Sequence, residues 1–489
     1  MNVHLLLLIV YSIALVTLGL WVGRLVRNTR EFFVAGRTLG APLIFSTILA
    51  SNIGAGSTVG AAGLAFRDGL SAWWWNGSAA IGSIFLALFI GPRIWAIASR
   101  HGLYTAGDFL ELRYGRTVRG LVTSLIWLGT LSILAGQLIA GAAVLTVVAG
   151  VPRWLGTIAS AVVMTVYFMA GGLLSSAWVN AVQLIVLLGG FAVAVPIVVG
   201  NVGGLAALAA PPALPLPATG AVAPDFTSFM YSSGPGSGVA LLALLGPAFI
   251  ISPGLLQKVY GASSERAVRI GVGVQAIALG LFAFIPVVLG MAARVSHPEI
   301  SSPNLVLPTV LVEQLPVALG SLALAAVYSA EVSTCDALLF MLATSLSQDL
   351  YKRFLRPGAS DAQLLRVARL ASLAGGAGGV VLALQLPTVT AALGIFYSLL
   401  GVSLFVPVVG GLYNRRAGAL EAMTSIAAGI LTRLGVQFAT GGAGLGWVDP
   451  SLAGLVAAGL AFIAVRAARR TASDPEGTPA AGRTPRRGD

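Results

Sequence analysis

Cysteine, histidine and charge are all scarce in this chain, and each shortage removes a class of protein. A single cysteine, Cys335, among 489 residues excludes an internal disulfide framework and argues against a cysteine-built metal site or cluster. The three histidines, His4, His101 and His297, lie far apart, which disfavours zinc and haem chemistry. Charged residues make up 9% of the chain against 57% hydrophobic ones, and mean hydropathy is +0.91. Soluble cores cannot hide that much apolar surface. No G-x-x-x-x-G-K-[ST] run occurs, so an ATP-driven pump would need its motor on another chain. Nothing in the sequence reads as a soluble catalytic module, and an enzyme is not expected.

What is present in quantity is long apolar runs. A hydrocarbon slab asks for about 20 such residues per crossing, with every backbone group bonded inside a helix. Runs near 3–25, 41–66, 71–97, 119–149, 155–175, 178–199, 238–259, 267–292, 318–348, 366–386, 389–412, 417–438 and 449–466 meet that demand. The expected fold is therefore an all-α polytopic membrane protein of about thirteen transmembrane helices. The first run has no basic segment before it and no A-x-A site at its end, so it reads as a retained span.

The net charge of +12 is spread over connecting segments and the C-terminal tail, a pattern of topology and not of nucleic-acid binding. Arg24, Arg27, Arg30 and Arg37 follow the first run. Arg100, Arg113, Arg116 and Arg119 then fall on the same side as Lys258, Arg266, Lys352, Arg353, Arg415, Arg416 and the tail. The other side has little beyond Arg67, Arg153 and Arg294. The rule that positive loops stay inside predicts a plasma (inner) membrane protein with its N-terminus outside and its C-terminus cytoplasmic. The outer segment from Asn201 to Gly238 is rich in proline and reads as extended, and the tail after Arg470 reads as disordered and able to touch anionic lipid. No obligatory protein partner is implied.

Three polar clusters interrupt the apolar runs. Ala50-Ser51-Asn52-Ile53-Gly54-Ala55-Gly56-Ser57-Thr58 sits in the second run, where two readings stand: close packing through small residues, or a discontinuous helix whose freed backbone groups hold a cation or solute. Gly246-Pro247 to Ser252-Pro253-Gly254 is a second candidate break, with two prolines six residues apart. Paired interruptions of this kind point to an inverted-repeat carrier. The chain would then divide into a leading span with its loop (1–40), two five-helix repeats (41–199 and 238–412) around a 200–237 loop, two trailing spans (413–466) and a basic tail (467–489).

The third cluster, Ser329 to Asp336, puts Ala330, Ser333 and Thr334 on one helical face. Hard oxygen donors without an obligatory carboxylate suit Na⁺, although mid-membrane hydroxyls also simply bond back to the preceding turn. Glu331 and Asp336 weigh against that second reading. An acid at the helix centre costs about 2.5–3.5 kcal/mol on insertion scales and persists mainly with a partner or a wet cavity.

At these residues the chain resembles the sodium:solute symporter family, which includes sodium/proline, sodium/galactose, sialic acid, pantothenate and iodide carriers. Phe32-Phe33-Val34-Ala35-Gly36-Arg37 is similar to the family's "FFLAGR", and Thr105 through Arg113-Tyr114-Gly115 to its "T-x-x-x-F-L-x-x-R-Y-G" loop. Ala170-Gly171-Gly172-Leu173 with Trp178-Val179-Asn180-Ala181-Val182-Gln183 resembles "GG…W-T-D-x-x-Q", and Ser333-Thr334-Cys335-Asp336 through Asp349-Leu350-Tyr351-Lys352-Arg353 resembles "ST-x-D-S…DLYKR". The resemblance implies a leucine-transporter-type fold and a sodium site made by the carbonyls of Ala50, Ile53 and Ala330 with the hydroxyls of Ser333 and Thr334.

It also implies sodium-coupled symport of a small organic solute by alternating access. The solute would lie between the breaks, near Asn52, Gly54, Ala55, Ser57, Gln137, Phe249, Ser252 and Gln257, and the few amides and acids there favour an amino acid or organic acid over a sugar. Asn180 replaces the Asp that members with an additional sodium site commonly carry, which predicts a 1:1 stoichiometry. Glu331 and Asp336 stand as further coupling residues. Proton coupling through Glu331 is the alternative within transport, and a membrane sensor on a carrier fold is the alternative outside it. Trp73, Trp74 and Trp75 are expected in an interfacial belt or as a cap over the site.

Overall fold

A computed structural model describes residues 3–23, 34–169, 173–209, 225–230, 238–446 and 448–473. The Phe32-Phe33 motif, Ala170-Gly171-Gly172, the proline-rich part of the outer loop and the tail beyond residue 473 lie outside the described residues. Within them the protein is helical, and the only β pairings are two isolated bridges. The molecule is also apolar outside: Ile185, Leu281, Leu431 and Phe438 are exposed, as side chains facing lipid would be.

Ten helices among the described residues are long and apolar enough to cross a membrane, against thirteen runs in the sequence, so the count of thirteen is not confirmed. One part of the difference has a physical source. The second run is broken, leaving Ala41–Asn52 short and joining its other half to the third run as Gly56–His101. The first run forms Val3–Gly23, a helix of 21 residues, and the fifth is described over Arg153–Met169.

Two helices are interrupted in mid-course. Ala41–Asn52 ends where Ile53 turns extended (φ −94°, ψ 90°), and a π turn, Gly56–Gly60, leads into Ala61–Asp68. The Asn52 carbonyl accepts from the Ser57 hydroxyl at 2.5 Å, and the Gly54 carbonyl accepts from both the Thr58 hydroxyl, at 2.9 Å, and the Thr58 N–H, at 3.0 Å. Gly238–Ile251 stops at Ser252 (φ −50°, ψ 123°), and Pro253–Tyr260 resumes with proline at its first position, where a missing N–H costs nothing. Pro247 stays inside its helix, so Pro253 alone marks this break.

The helix Val317–Thr344 runs through the middle of the bundle, packed against Arg116–Ala149, Leu173–Asn201 and Ala41–Asn52, and nearly all of it is buried. Glycines let these backbones approach. A Cβ at Gly190 would stand 2.6 Å from Ala326 Cβ, and one at Gly290 would stand 2.2 Å from the Ala62 carbonyl oxygen. The last two helices, Ala419–Ala439 and Pro450–Ser473, pack on each other through Gly429 and Gly454.

Candidate binding site between two broken helices

The hydroxyl pair of the long helix meets the first break. Ser333 Oγ donates to the Ala50 carbonyl at 2.8 Å and to its own helix at Ala330 O, 3.0 Å. Thr334 Oγ1 donates to Ser51 O at 3.2 Å. Four of the expected sodium ligands, Ala50, Ala330, Ser333 and Thr334, thus gather where two helices touch. The fifth, Ile53, is fully buried and precedes Gly54, where a Cβ would stand only 2.3 Å from Thr334 Oγ1. Among the described residues no group of three or more His, Cys, Asp or Glu could hold a metal.

A cavity opens beside this contact. Asn52, Gly54, Ser57, Gln137, Phe249 and Ser252 line it, six of the eight residues expected around a solute. Ala55 joins through its backbone, whose N–H donates to Gln137 Oε1 at 2.8 Å. Gln257 is buried but lies off the lining. The aromatic side consists of Phe249, Phe396 and Tyr397, with ring centroids of Phe249 and Tyr397 5.3 Å apart.

Three participants were not apparent from the sequence. Lys258 counts there only as a positive charge near a loop, yet its ammonium is buried on the cavity wall, donating to Thr47 O at 2.8 Å and to Ser51 Oγ. The usable signal was a lysine inside an apolar run, where ionisable residues are rare and functional. Tyr397 carries no motif. Asn76 donates to Ser57 O at 3.0 Å and so braces the first break from the next helix.

The tryptophan triplet divides its duties. Trp73 and Trp74 pack with Phe229, whereas Trp75 is buried against Tyr397, above the cavity. Asn180 donates to Thr47 Oγ1 at 3.3 Å. Glu331 is fully buried, and among the described residues neither of its carboxylate oxygens has a hydrogen-bond partner; one of them lies beside Gly141, away from the cavity lining. Asp336 is buried also and contributes charge near Lys258.

At the end of the bundle expected to face the cytoplasm, the Thr105–Tyr114 and Asp349–Arg353 segments close on Arg119. Its guanidinium reaches Asp349 at 2.6 Å and Asp108 and Glu111 at 2.8 Å each. Thr105 donates to Asp349 at 2.6 Å while capping Ala106–Tyr114, and Arg353 adds a second cation on Glu111. Burial alone would raise the Glu111 pKa, but the hydrogen bonds from Arg353 and Arg119 outweigh it and hold this carboxyl below its ordinary value.

The sodium:solute symporter family model matches residues 32–429, spanning both breaks, the hydroxyl pair and this ionic cluster. The chain belongs to the sodium:solute symporter family. Among relatives of this symporter, the sodium/pantothenate symporter of Escherichia coli K12 is 27% identical over 425 residues, 83% of this chain and 85% of that protein. The sodium/glucose cotransporter of Vibrio parahaemolyticus is 24% identical over 413 residues, 74% of this chain and 71% of that one. In structure, a Na⁺-coupled sialic acid symporter solved in a substrate-bound outward-open state superposes with a TM-score of 0.79 at 17% identity, covering 95% of this chain and 98% of that one. The protein is thus a multi-pass membrane transporter of the leucine-transporter type, and sodium is its co-transported ion.

Proposed function

We propose that the protein is a sodium-driven symporter of a small carboxylate-bearing solute, an amino acid or organic acid, working in the plasma (inner) membrane with its N-terminus outside. The observation that carries the solute class is Lys258: among the described residues it is the one charged side chain on the cavity lining, and a buried ammonium is a partner for a carboxylate. Asn52, Gln137 and the neighbouring hydroxyls supply directional hydrogen bonds, while a sugar would ask for more amides and acids than line this wall.

Sodium binds where Ser333 and Thr334 meet Ala50 and the Ile53 turn. The two hydroxyls rotate their protons away and offer lone pairs to the cation, which replaces the hydrogen bonds to Ala50 and Ser51. The ion thereby ties the first broken helix to Val317–Thr344 and favours the state in which the breaks form the solute site. Solute binding then permits the 41–199 and 238–412 repeats to rock, and each ligand shifts the equilibrium only by its preference between states. With Asn180 in place of a carboxylate, one sodium accompanies each solute.

Proteoliposomes screened with amino acids, carboxylates and sugars, each under an inward Na⁺ or K⁺ gradient, test the assignment. A carboxylate solute taken up only with Na⁺ is expected; sodium-driven uptake confined to neutral sugars would contradict the solute class. A second reading, proton coupling, is favoured by the unpartnered buried carboxyl of Glu331. Uptake that persists without sodium but collapses with the pH gradient would establish it.

A further inference from the structure

A second pocket, remote from the broken helices, opens where Gly91–His101 ends beside Val406–Tyr413. Its polar lining is Arg93, Arg100, His101, Arg113, Tyr413 and Arg415, and among the described residues no acidic side chain lines it. Its apolar lining includes Ile97, Leu112 and Leu412. The frame is rigid. Arg113 donates to the carbonyls of Gly411 and Asn414 at 2.8 and 3.0 Å, the Arg93 guanidinium lies 4.2 Å from the Tyr413 ring centroid, and Tyr413 donates to Phe89 O at 3.2 Å.

Four cationic or basic side chains, Arg93, Arg100, His101 and Arg415, are left exposed around this frame. One and two turns back along the same helical stretch, Phe85, Leu88 and Phe89 are each about half exposed, at 48%, 50% and 53%, with Phe85 and Phe89 ring centroids 5.9 Å apart. An unshielded basic pocket thus runs directly into a lipid-facing apolar strip. A soluble anion would use the first and have no use for the second. A phospholipid matches both.

We propose that this pocket binds the headgroup of an anionic phospholipid of the cytoplasmic leaflet, with its phosphate among Arg93, Arg100 and Arg415 and its acyl chains along Phe85, Leu88 and Phe89. The leaflet rests on the orientation set by the charge asymmetry of the loops; the sodium and solute assignments do not enter. Each cation near an anionic leaflet adds to the attraction, so three arginines together hold a lipid that one alone would not. The lipid would bridge the end of the third apolar run to that of the eleventh.

The test uses the purified full-length protein in neutral detergent, titrated with phosphatidylglycerol, with phosphatidylcholine of the same chains, and with inorganic phosphate plus glycerol 1-phosphate. Native mass spectrometry reads the adducts and thermal unfolding reads the stabilisation. Phosphatidylglycerol adducts and a saturable rise in Tm are expected, neither phosphatidylcholine nor the soluble phosphates reproducing them. The Arg93→Gln/Arg100→Gln/Arg415→Gln variant should weaken phosphatidylglycerol binding roughly tenfold or more. Arg100→Gln alone, at an exposed position, should weaken it to a lesser degree and serves if the triple variant does not fold. Equal stabilisation by phosphatidylcholine, full reproduction by soluble phosphate, or an unchanged response in the variant that folds would overturn the proposal.

Discussion

Thr334 and Gly54 meet so closely that the contact tolerates only glycine. A Cβ at Gly54 would stand 2.3 Å from Thr334 Oγ1 and 2.9 Å from Gln137 Oε1, so Gly54→Ala must displace the hydroxyl of the proposed ion site and the amide of the proposed solute site together. Sodium-driven uptake by Gly54→Ala should fall at least tenfold with the protein still inserted and folded; near-normal uptake would mean that neither group binds a ligand there. The shared helical face of Ser333 and Thr334 was legible from spacing, which left bonding back to the preceding turn open; their meeting with Ala50 was expected only from the family resemblance. Lys258 was not legible. A charge count sees its sign and its nearness to a loop, while its burial depends on how Pro253–Tyr260 docks against Ala41–Asn52, a long-range contact that no local pattern encodes.

At the scale of elements, both breaks were readable, though for partly different reasons from those that operate. The first helix does break within the glycine- and hydroxyl-rich residues 50–58, at Ile53, and the Ser57 hydroxyl bonds the Asn52 carbonyl at its end. In the second, Pro247 is absorbed within its helix and the chain breaks at Ser252, just ahead of Pro253, because a residue before proline is driven out of the helical region. The Arg119 cluster makes a separate prediction for the elements it joins. Its side chain is 6% exposed and pairs with Asp108, Glu111 and Asp349, so Arg119→Ala leaves the buried Asp349 without its cation and should destabilise the protein by about 3–5 kcal/mol, read as a lowered Tm. Glu111 adds a pH signature. Its folded pKa is depressed, so its contribution is present above its ordinary value of 4.5 and is lost as pH falls through the lower folded value. Glu111→Gln should therefore flatten part of the acid limb of a Tm-against-pH profile, and an unaltered limb would show that the arginines do not stabilise its ionised form.

For the whole molecule, membrane class and helical architecture were available from composition and run length, because a bilayer imposes one backbone solution on any such chain. The exact number of crossings was not, and the break at Ile53, which leaves Ala41–Asn52 too short to span alone, is one reason. The same interruption that confuses the count builds the site. The account as a whole therefore turns on whether sodium sits between the first broken helix and Ser333–Thr334. Equilibrium binding of ²²Na⁺ to the purified protein, without any solute, measures this directly in the wild type and in Ser333→Ala and Thr334→Ala. Saturable binding to one site per chain is predicted, with each substitution raising the half-saturating sodium concentration at least tenfold; equal affinity in all three proteins would contradict the account.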